Sequence, residues 1–334
     1  MSASAPPPPR SRGPRPYALE LHEQVPAQLD ETVLACVRHG RALPPPADAR
    51  CIDVPLALLQ GPGCEIWRSA TPVRQNREGR IAYAENGEVL LGHVHLPEAA
   101  LADLSAASES LYRELQGFLR RSGYGACLRI WNYLADITKG QGDAERYRQF
   151  VLGRYHALAQ QDGFERELPA ATAIGLQDGG LLIYFLAARE GGTQIENPRQ
   201  LSAFQYPRQY GPKSPSFSRA NYLAWSDGAQ LLVSGTASVV GHETAHAAQA
   251  QRQLDEILIN LEALLAEADR RAARTHVWQP TLIKLYLREA AHLSAASARL
   301  DAWLPPQVPR MILLGEVCRS DLELEIEGIF GVGL

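Results

Sequence analysis

The hydrophobic positions of the chain follow one order of elements that occurs twice. In the first copy, the apolar run that follows Glu88 indicates a short strand at residues 88–91, and leucines at helical spacing indicate a helix over about residues 97–121. Alternation at residues 127–137 predicts another strand, and a second helix follows over about residues 144–160. A Gly-Gly turn then divides residues 168–188 into two closing strands.

The second copy repeats this order. Residues 229–238 are predicted to form a strand that ends in small residues, and residues 244–273 have the apolar spacing of a long amphipathic helix. A strand at residues 281–289 and a helix over about residues 291–303 follow, and residues 310–329 supply two closing strands. We therefore predict an α+β fold of two tandem domains, each a mixed sheet packed by two helices.

The domain boundaries follow from where the copies meet, near residues 188–192. Residues 18–190 are assigned to an N-terminal domain and residues 191–334 to a C-terminal domain. Residues 1–17 are rich in proline and arginine and lack an apolar signal core, so we expect a disordered tail there. The pattern assigns no role to the residues before about Cys51.

Composition excludes several classes of function. The chain of 334 residues is 46% hydrophobic and 21% charged, as is typical of a globular protein. A net charge of -4 and a pI of about 6.2 provide no basic field for nucleic acid. No apolar run approaches the roughly 18 residues of a membrane span. The five cysteines are scattered without CxxC spacing, which favours a reducing cytoplasm.

One short motif points to metal chemistry. His242-Glu243-Thr244-Ala245-His246 has the HExxH spacing, in which two imidazoles one helical turn apart bind zinc and the glutamate acts as a base. A zinc peptidase also needs a third ligand. The acidic candidates downstream are Glu262, Glu267 and Asp269.

The same motif also has an interpretation without metal. Thr244 or Ser238 would cap the long helix, Glu243 would interact with the helix dipole, and His246 would be an ordinary helix residue. Chance matches to HExxH are common, and nothing in the repeat needs zinc to assemble a site. We therefore expect no metal and no other cofactor, although His242 and Glu243 follow a loop that should face the pocket.

The second copy resembles the RidA/YjgF (RutC-like) family over its whole length. The strand end SGTAS and the helix AAQAQRQLDEILINLEALL carry the resemblance. It implies that Arg310 is a carboxylate-binding residue and that Glu325 is the catalytic glutamate of the pocket. The matching positions of the first copy are Ala170 and Phe185, so that copy is expected to serve as scaffold.

The duplicated arrangement resembles the chorismatases over about residues 50–334. The segments that carry this resemblance are ENPRQLSAFQYPRQYGPKSPSFSRA, RIWNYLADI and SGTASVVGHET. Chorismatases remove pyruvate from chorismate, and members differ in forming hydroxybenzoates or a dihydroxycyclohexadiene carboxylate. The resemblance implies a cytoplasmic chorismate-cleaving enzyme whose product is 3-hydroxybenzoate, with 4-hydroxybenzoate as a second candidate product.

A basic and aromatic segment at residues 196–219 offers groups for an anionic substrate. Its proline and glycine content predicts a loop. The alternative to a substrate-binding loop is a basic loop that is simply exposed to solvent. Chorismate carries two carboxylates, and arginine binds carboxylates in bidentate fashion. The candidate substrate-binding residues are Arg310, Arg199, Arg208, Tyr210, Lys213, Phe217, Arg219 and Ala237, the last of which would set the room for the ring.

The closing strand and the segment before it provide the candidate catalytic residues. Glu323, Glu325 and Glu327 occupy alternate positions of a strand and so share one face. If that face is partly enclosed, repulsion between the three carboxylates raises the pKa of one of them. A solvated acidic face is the alternative, but the family resemblance favours Glu325 as the acid that protonates the enol ether. A cysteine at position 318 resembles the hydroxybenzoate-forming members of the family, in which it would donate or accept a proton while the ring aromatises. The alternative is that Cys318 is only a small buried hydrophobic residue.

Other interpretations stay open at this point. A RidA-like enamine or imine deaminase would use the same Arg310 and Glu325, and a non-catalytic small-molecule-binding protein would keep only the pocket. The zinc peptidase is the remaining alternative. RidA-type domains usually trimerise, whereas a two-domain chain can form the same interface internally, so the sequence allows a monomer or a homotrimer.

Overall fold

The computed structural model describes residues 12–332, which form twenty strands and four α-helices. No helix in this range is both long and apolar enough to cross a membrane. The elements of the first half are β1 (Tyr17–His22), β2 (Val33–His39), β3 (Cys51–Val54), β4 (Ala57–Gln60), β5 (Cys64–Ser69), β6 (Arg74–Glu78), β7 (Ile81–Glu85), β8 (Val89–Leu96), α1 (Leu104–Ser122), β9 (Ala126–Ala135), α2 (Arg146–Leu158), β10 (Ala170–Leu176) and β11 (Leu181–Ala188).

The second half begins with a three-residue strand and contains the longest helix. Its elements are β12 (Thr193–Ile195), β13 (Ala220–Trp225), β14 (Gly228–Ala237), β15 (Val239–Val240), β16 (Glu243–Thr244), α3 (Ala250–Ala272), β17 (Gln279–Leu287), α4 (Leu293–Trp303), β18 (Arg310–Leu314), β19 (Glu316–Val317) and β20 (Leu324–Val332).

The predicted repeat is confirmed in the two large sheets. One has the strand order β19-β10-β9-β11-β8-β7-β6 and the other β12-β13-β14-β20-β17-β18-β4. In both, one parallel pair (β9 with β10, β17 with β18) is followed by antiparallel neighbours. Helices α1 and α2 pack on the first sheet, and α3 and α4 on the second. The α+β fold class is therefore as predicted.

Each large sheet contains one strand from the other half of the chain. β4 pairs with β18 through Leu58 and Leu313, and β19 pairs with β10 through Val317 and Ile174. Hydrogen bonding thus crosses the proposed boundary between residues 190 and 191 in both directions. The division into domains at that point stays a prediction.

A third sheet, which the sequence pattern did not indicate, is formed by β1, β5, β2 and β3. Its inner face shares one apolar core with both large sheets. Trp67 of β5 packs edge-to-face on Trp131 of β9, with ring centroids 6.0 Å apart. The hydroxyls of Tyr133 and Tyr286 meet at 3.0 Å between the two large sheets. The three sheets therefore enclose a common centre.

The last residues of the predicted N-terminal tail, residues 12–17, are ordered in the structure. Residues 1–11 lie outside the described residues. The backbone N–H of Arg12 donates to the carbonyl of Ala224, and Tyr17 is buried as the first residue of β1. Buried aromatic surface and a strand partner thus order residues 12–17, where disorder was predicted.

The predicted start of the long helix is wrong by six residues. Residues 239–244 form a small β-hairpin, and α3 begins only at Ala250, after Gln249 as N-cap. His246 and Ala248 have φ values of 56°, in the left-handed region that a right-handed helix cannot contain. Neither Thr244 nor Ser238 therefore caps a helix.

The hairpin also removes the geometric basis of the HExxH interpretation. The two histidines are not one helical turn apart, and they face different partners. His242 Nδ1 lies 3.2 Å from the Tyr210 hydroxyl, whereas His246 Nε2 lies 3.5 Å from Glu256. Because HExxH binds zinc through its helical spacing, the motif match is coincidental here.

Candidate active site

A cavity of about 440 Å³ lies where the two repeats face each other, with a narrower inner extension of about 40 Å³. The ends of β14 and β20, helix α2 and the loop before β13 supply its walls. Six of the predicted site residues line it together: Glu325, Cys318, Ala237, Tyr210, Phe217 and Arg219.

The register of β20 places Glu325 at the centre of the second sheet. Glu325 pairs with Ala237 of β14 on one side and with Tyr286 of β17 on the other. Gly235 makes room for the carboxyl, because a Cβ there would stand 1.9 Å from Glu325 Oε1. A residue with any side chain at position 235 would therefore displace the carboxyl from its present place.

The surroundings of Glu325 favour its protonated form. The residue is 5% exposed, and burial raises its pKa, as does the charge of Glu327. Nearby arginines, Arg129 and Arg219 among them, oppose these effects only in part, which leaves the pKa at about 8. A carboxyl group that keeps its proton at neutral pH is suited to general acid catalysis.

Glu327, two positions along the same face, remains ionised because it is paired. Arg129 Nη2 lies 2.7 Å from its carboxylate and Lys284 Nζ lies 3.1 Å away. Lys284 also binds Glu65 of the small sheet at 2.6 Å, and His39 Nε2 is 2.7 Å from the same oxygen. Burial raises the pKa of Glu65, but Lys284 and His39 outweigh it and hold the pKa at about 2. We call these five residues the central charge network.

Cys318 follows β19 and lines both parts of the cavity. Burial and, to a lesser extent, the neighbouring Glu325 raise the pKa of its thiol to about 12. Tyr147 of α2 adjoins the sulfur, and burial raises the pKa of its hydroxyl well above the usual value. Both groups therefore carry protons at neutral pH and can act as hydrogen-bond donors toward a bound molecule.

Three arginines line the cavity, and one of them, Arg148, lies 3.7 Å from Glu145, which also lines it. Arg219, which was predicted, donates to the carbonyl of Leu201 at 2.9 Å and the hydroxyl of Tyr206 at 2.7 Å. Its buried Nε has no hydrogen-bond partner within residues 12–332. Arg319, which was not predicted, lies 4.0 Å from the centre of the Tyr210 ring and donates to the carbonyl of His242.

The first repeat has an apolar residue where the second has its acid. Phe185 of β11 is fully buried, and a Cβ at Gly92 of β8 would stand 2.6 Å from its ring. Gly92 thus lies against Phe185 as Gly235 lies against Glu325. The second predicted counterpart, Ala170, is also buried. The first repeat offers no carboxyl at this position.

The comparisons with known proteins agree with this geometry. The family model described as "Chorismatase FkbO/Hyg5-like, N-terminal" matches residues 65–187. A 3-hydroxybenzoate synthase of Streptomyces hygroscopicus is 35% identical over 80% of this chain and 81% of its own length. A chorismatase of the same species is 34% identical over 90% of both chains. This chain belongs to the chorismatase family.

A solved structure extends the likeness to three dimensions. The crystal structure of a chorismatase superposes with a TM-score of 0.83 at 32% identity, covering 94% of this chain and 97% of that one. The family membership therefore applies to the three-sheet arrangement as a whole, including the small N-terminal sheet.

Within this chorismatase fold, Arg310 does not reach the cavity, contrary to its predicted role. It pairs with Ile283 of β17, three positions from Tyr286, the partner of Glu325. At the rise of a strand this is about 10 Å along the sheet. Its guanidinium instead binds Asp301. The deaminase interpretation, which joined Arg310 to Glu325, loses its geometric basis for the same reason.

Three basic residues of the loop before β13 also lie outside this cavity. Arg199 binds Glu256 at 2.6 Å, Arg208 donates to Asp143 at 2.9 Å, and Lys213 lies 4.3 Å from the centre of the Tyr155 ring. Each is therefore engaged by the protein itself. The loop contributes Tyr210, Phe217 and Arg219 to the lining of the cavity, but not these three cations.

Residues that the sequence pattern did not single out complete the site. Tyr147 and Arg148 come from α2, in the repeat that was expected to serve only as scaffold. Arg319 directly follows Cys318 in the chain, and Gly235 lies two positions before Ala237. The one available signal was the position of Arg319 next to Cys318, since a cation beside a candidate catalytic residue suits an anionic substrate.

Proposed function

We propose that this chain binds chorismate in the cavity between the repeats and cleaves it into pyruvate and a hydroxybenzoate. The observation that carries the proposal is the enclosed carboxyl of Glu325, with a pKa of about 8, at the wall of a cationic cavity. The names and high coverage of the relatives support chorismate as the substrate.

Substrate binding rests on Arg219 and Arg319. Chorismate has a ring carboxylate and an enolpyruvyl carboxylate, so two cations at one cavity match its charge. The unpartnered Nε of Arg219 offers a donor that no protein group of residues 12–332 occupies. Tyr210 and Phe217 provide an aromatic wall for the ring.

The chemical step begins with proton transfer from Glu325 to the methylene carbon of the enolpyruvyl group. The π electrons of that double bond form the new C–H bond, and the ether oxygen stabilises the resulting cation. In the hydrolytic route, water attacks this carbon and gives up a proton to the Glu325 carboxylate, and the hemiketal then breaks its bond to the ether oxygen, which takes up a proton, to release pyruvate and the diol. In the aromatising route, the neighbouring ring hydroxyl attacks instead and returns its proton to the carboxylate, which gives a cyclic ketal. One ring C–O bond of the ketal then breaks as the proton on the adjacent ring carbon is lost, and the remaining hemiketal opens to pyruvate and the hydroxybenzoate. The Glu325 carboxylate left behind lies near Arg129 and Arg219, whose charges stabilise it.

The choice of product depends on which oxygen attacks. Pyruvate and a hydroxybenzoate together contain all the atoms of chorismate, so that outcome consumes no water, whereas the dihydroxycyclohexadiene product requires one water molecule. We propose that Cys318, held as a neutral thiol, assists the aromatising route and that 3-hydroxybenzoate is the main product. The name of one relative, 3-hydroxybenzoate synthase, supports this choice, and 4-hydroxybenzoate is the minor product that we expect.

The test is to incubate purified protein with chorismate, to measure pyruvate with lactate dehydrogenase, and to separate the ring products by chromatography. Glu325→Gln removes the acid without changing side-chain size, and should lower kcat by about 10²- to 10⁴-fold. Arg310→Gln is the matched control, since it alters a residue outside the cavity. Absence of pyruvate from the wild type, or full activity of Glu325→Gln, would overturn the proposal.

A further inference from the structure

A second cavity of about 500 Å³ is lined mainly by the first repeat, by α1, α2, β9 and the segment after β11, together with Gln194 and Asn221 of the second half. Neither Glu325 nor Cys318 lines it, and Arg154 is the one lining residue that it shares with the inner extension of the active-site cavity. We propose that it is a binding site for a small hydroxylated aromatic carboxylate, anchored by Arg154.

The buried guanidinium of Arg154 has no carboxylate and no hydrogen-bond acceptor among the described residues. It lies on α2, is 5% exposed, and its guanidinium sits 5.0 Å from the centre of the Tyr112 ring. Within residues 12–332 its side chain makes no hydrogen bond or ion pair, and its Nε is fully buried. The remaining buried arginines of that range all donate to a carboxylate or carbonyl oxygen: Arg38, Arg50, Arg129 and Arg219.

The buried, unpaired guanidinium of Arg154 is suited to binding an anion. An unpaired buried charge is costly, and the usual compensation is a carboxylate that accepts a bidentate hydrogen bond. No protein carboxylate of the described residues fills this role, although Arg154 lines the cavity. A ligand carboxylate would fill it.

Two amide side chains specify a second polar group on the ligand. The amide nitrogen of Gln194 donates to Glu196 at 3.1 Å, and that of Asn221 donates to the carbonyl of Leu128 at 3.1 Å. These bonds orient the amides and leave Gln194 Oε1 and Asn221 Oδ1 buried without a donor in residues 12–332. Both side chains line the cavity, so a ligand hydroxyl would satisfy an oxygen that is otherwise unpaired.

The remaining wall favours an aromatic body and an anionic ligand. Leu115, Leu119 and Ile130 form apolar surface between the polar groups. The exposed part of the lining carries three arginines against one carboxylate, Glu167, and such a field draws anions toward the opening. The three are Arg120, Arg166 and Arg189.

Arg154 also lines the inner extension of the active-site cavity, so the two cavities share this residue. The hydroxybenzoate of the proposed function belongs to the predicted ligand class and would form on the other side of Arg154. That link rests on the proposed function, whereas binding at the second cavity does not.

The test is calorimetric titration of the full chain with 3-hydroxybenzoate. Gln116→Trp, at the partly exposed wall of the second cavity, should abolish binding by filling it, and Arg154→Gln should weaken binding at least about tenfold. Ala237→Trp blocks the active-site cavity and should leave this binding intact. Benzoate, which lacks the hydroxyl, should bind more weakly, and 3-hydroxybenzyl alcohol, which lacks the carboxylate, should not bind.

The two cavities give opposite patterns in these variants. Binding that survives Gln116→Trp but disappears in Ala237→Trp would place the ligand in the active site and overturn the proposal, as would absence of binding to the wild type. Circular dichroism and thermal unfolding check that Gln116→Trp and Arg154→Gln fold. A wild-type protein that binds 3-hydroxybenzoate by this pattern but releases no pyruvate would retain the second site while refuting the proposed function.

Discussion

Replacing Gly235 by alanine is expected to disable the acid while leaving every catalytic side chain in the protein. The added Cβ would stand 1.9 Å from Glu325 Oε1 and 2.7 Å from its Cδ, whereas ordinary contact begins at 3.4 Å. The carboxyl must therefore retreat by about 1.5 Å. A displacement of about 1 Å at a reacting group is sufficient to lower a rate by about 100-fold.

The assay is the steady-state rate of pyruvate release from chorismate. Gly235→Ala should lower kcat by about 100-fold and change KM little, since Arg219 and Arg319 do not move. The matched control is Gly92→Ala in the first repeat, where the new Cβ would stand 2.6 Å from the ring of Phe185. That change overpacks the core and should cost about 1–3 kcal/mol of folding stability, without a comparable fall in kcat below the unfolding temperature.

The comparison separates a displaced acid from a merely destabilised protein. A Gly235→Ala protein with wild-type kcat would refute the reasoning, because it would mean that proton transfer does not depend on where the Glu325 carboxyl lies. An equal fall in kcat for Gly92→Ala would refute it as well, since general loosening would then account for both results.

Four further predictions concern single groups. Because the acid form of Glu325 is the active one and its pKa is about 8, kcat/KM should hold steady at neutral pH and fall as pH rises through about 8; a rate that rises there would contradict this role. Cys318→Ala should shift the chromatographic product ratio from hydroxybenzoate toward the dihydroxycyclohexadiene carboxylate, and an unchanged ratio would exclude the thiol. Arg319→Met should raise KM for chorismate roughly tenfold or more, whereas Arg310→Met should not, and equal effects would contradict the assignment. Lys284→Met should lower the free energy of unfolding by about 3–5 kcal/mol in urea titrations, because it leaves buried carboxylates uncompensated.

The predictable part of the fold was the part with strong periodicity. Helices with regular leucines and strands with clear alternation were identified in the correct order, although α1 begins at Leu104, seven residues after its predicted start. The order alone was sufficient to identify the repeat. The start of α3 was misplaced because His246 and Ala248 take left-handed backbone conformations that their residue types do not announce. The small sheet was missed because its strands are short and separated by loops rich in proline and glycine.

The site was predictable where a residue's neighbours along the chain determine its place. Glu325 was proposed from the family resemblance of its strand, since alternation alone left a solvated acidic face as an equal alternative, and Phe217 and Arg219 were proposed from a loop of mixed aromatic and basic character. Arg310 was assigned through the same resemblance, but a matching position in the chain does not say where along the sheet the side chain lies. Gly235 could not be found at all, since its role is a distance to another strand.

The central charge network bears on whether the repeats are separable modules. Glu327 and Lys284 belong to the second repeat, Arg129 to the first, and Glu65 to the small sheet. In a fragment containing only the second repeat, Glu327 would lack Arg129 and Lys284 would lack Glu65. Glu327 lies two positions from the acid, Glu325, and its charge and that of Arg129 help to set the pKa of Glu325. The repeat without an acid thus supplies an electrostatic partner to the repeat that has one, and a second repeat expressed alone is expected to be inactive.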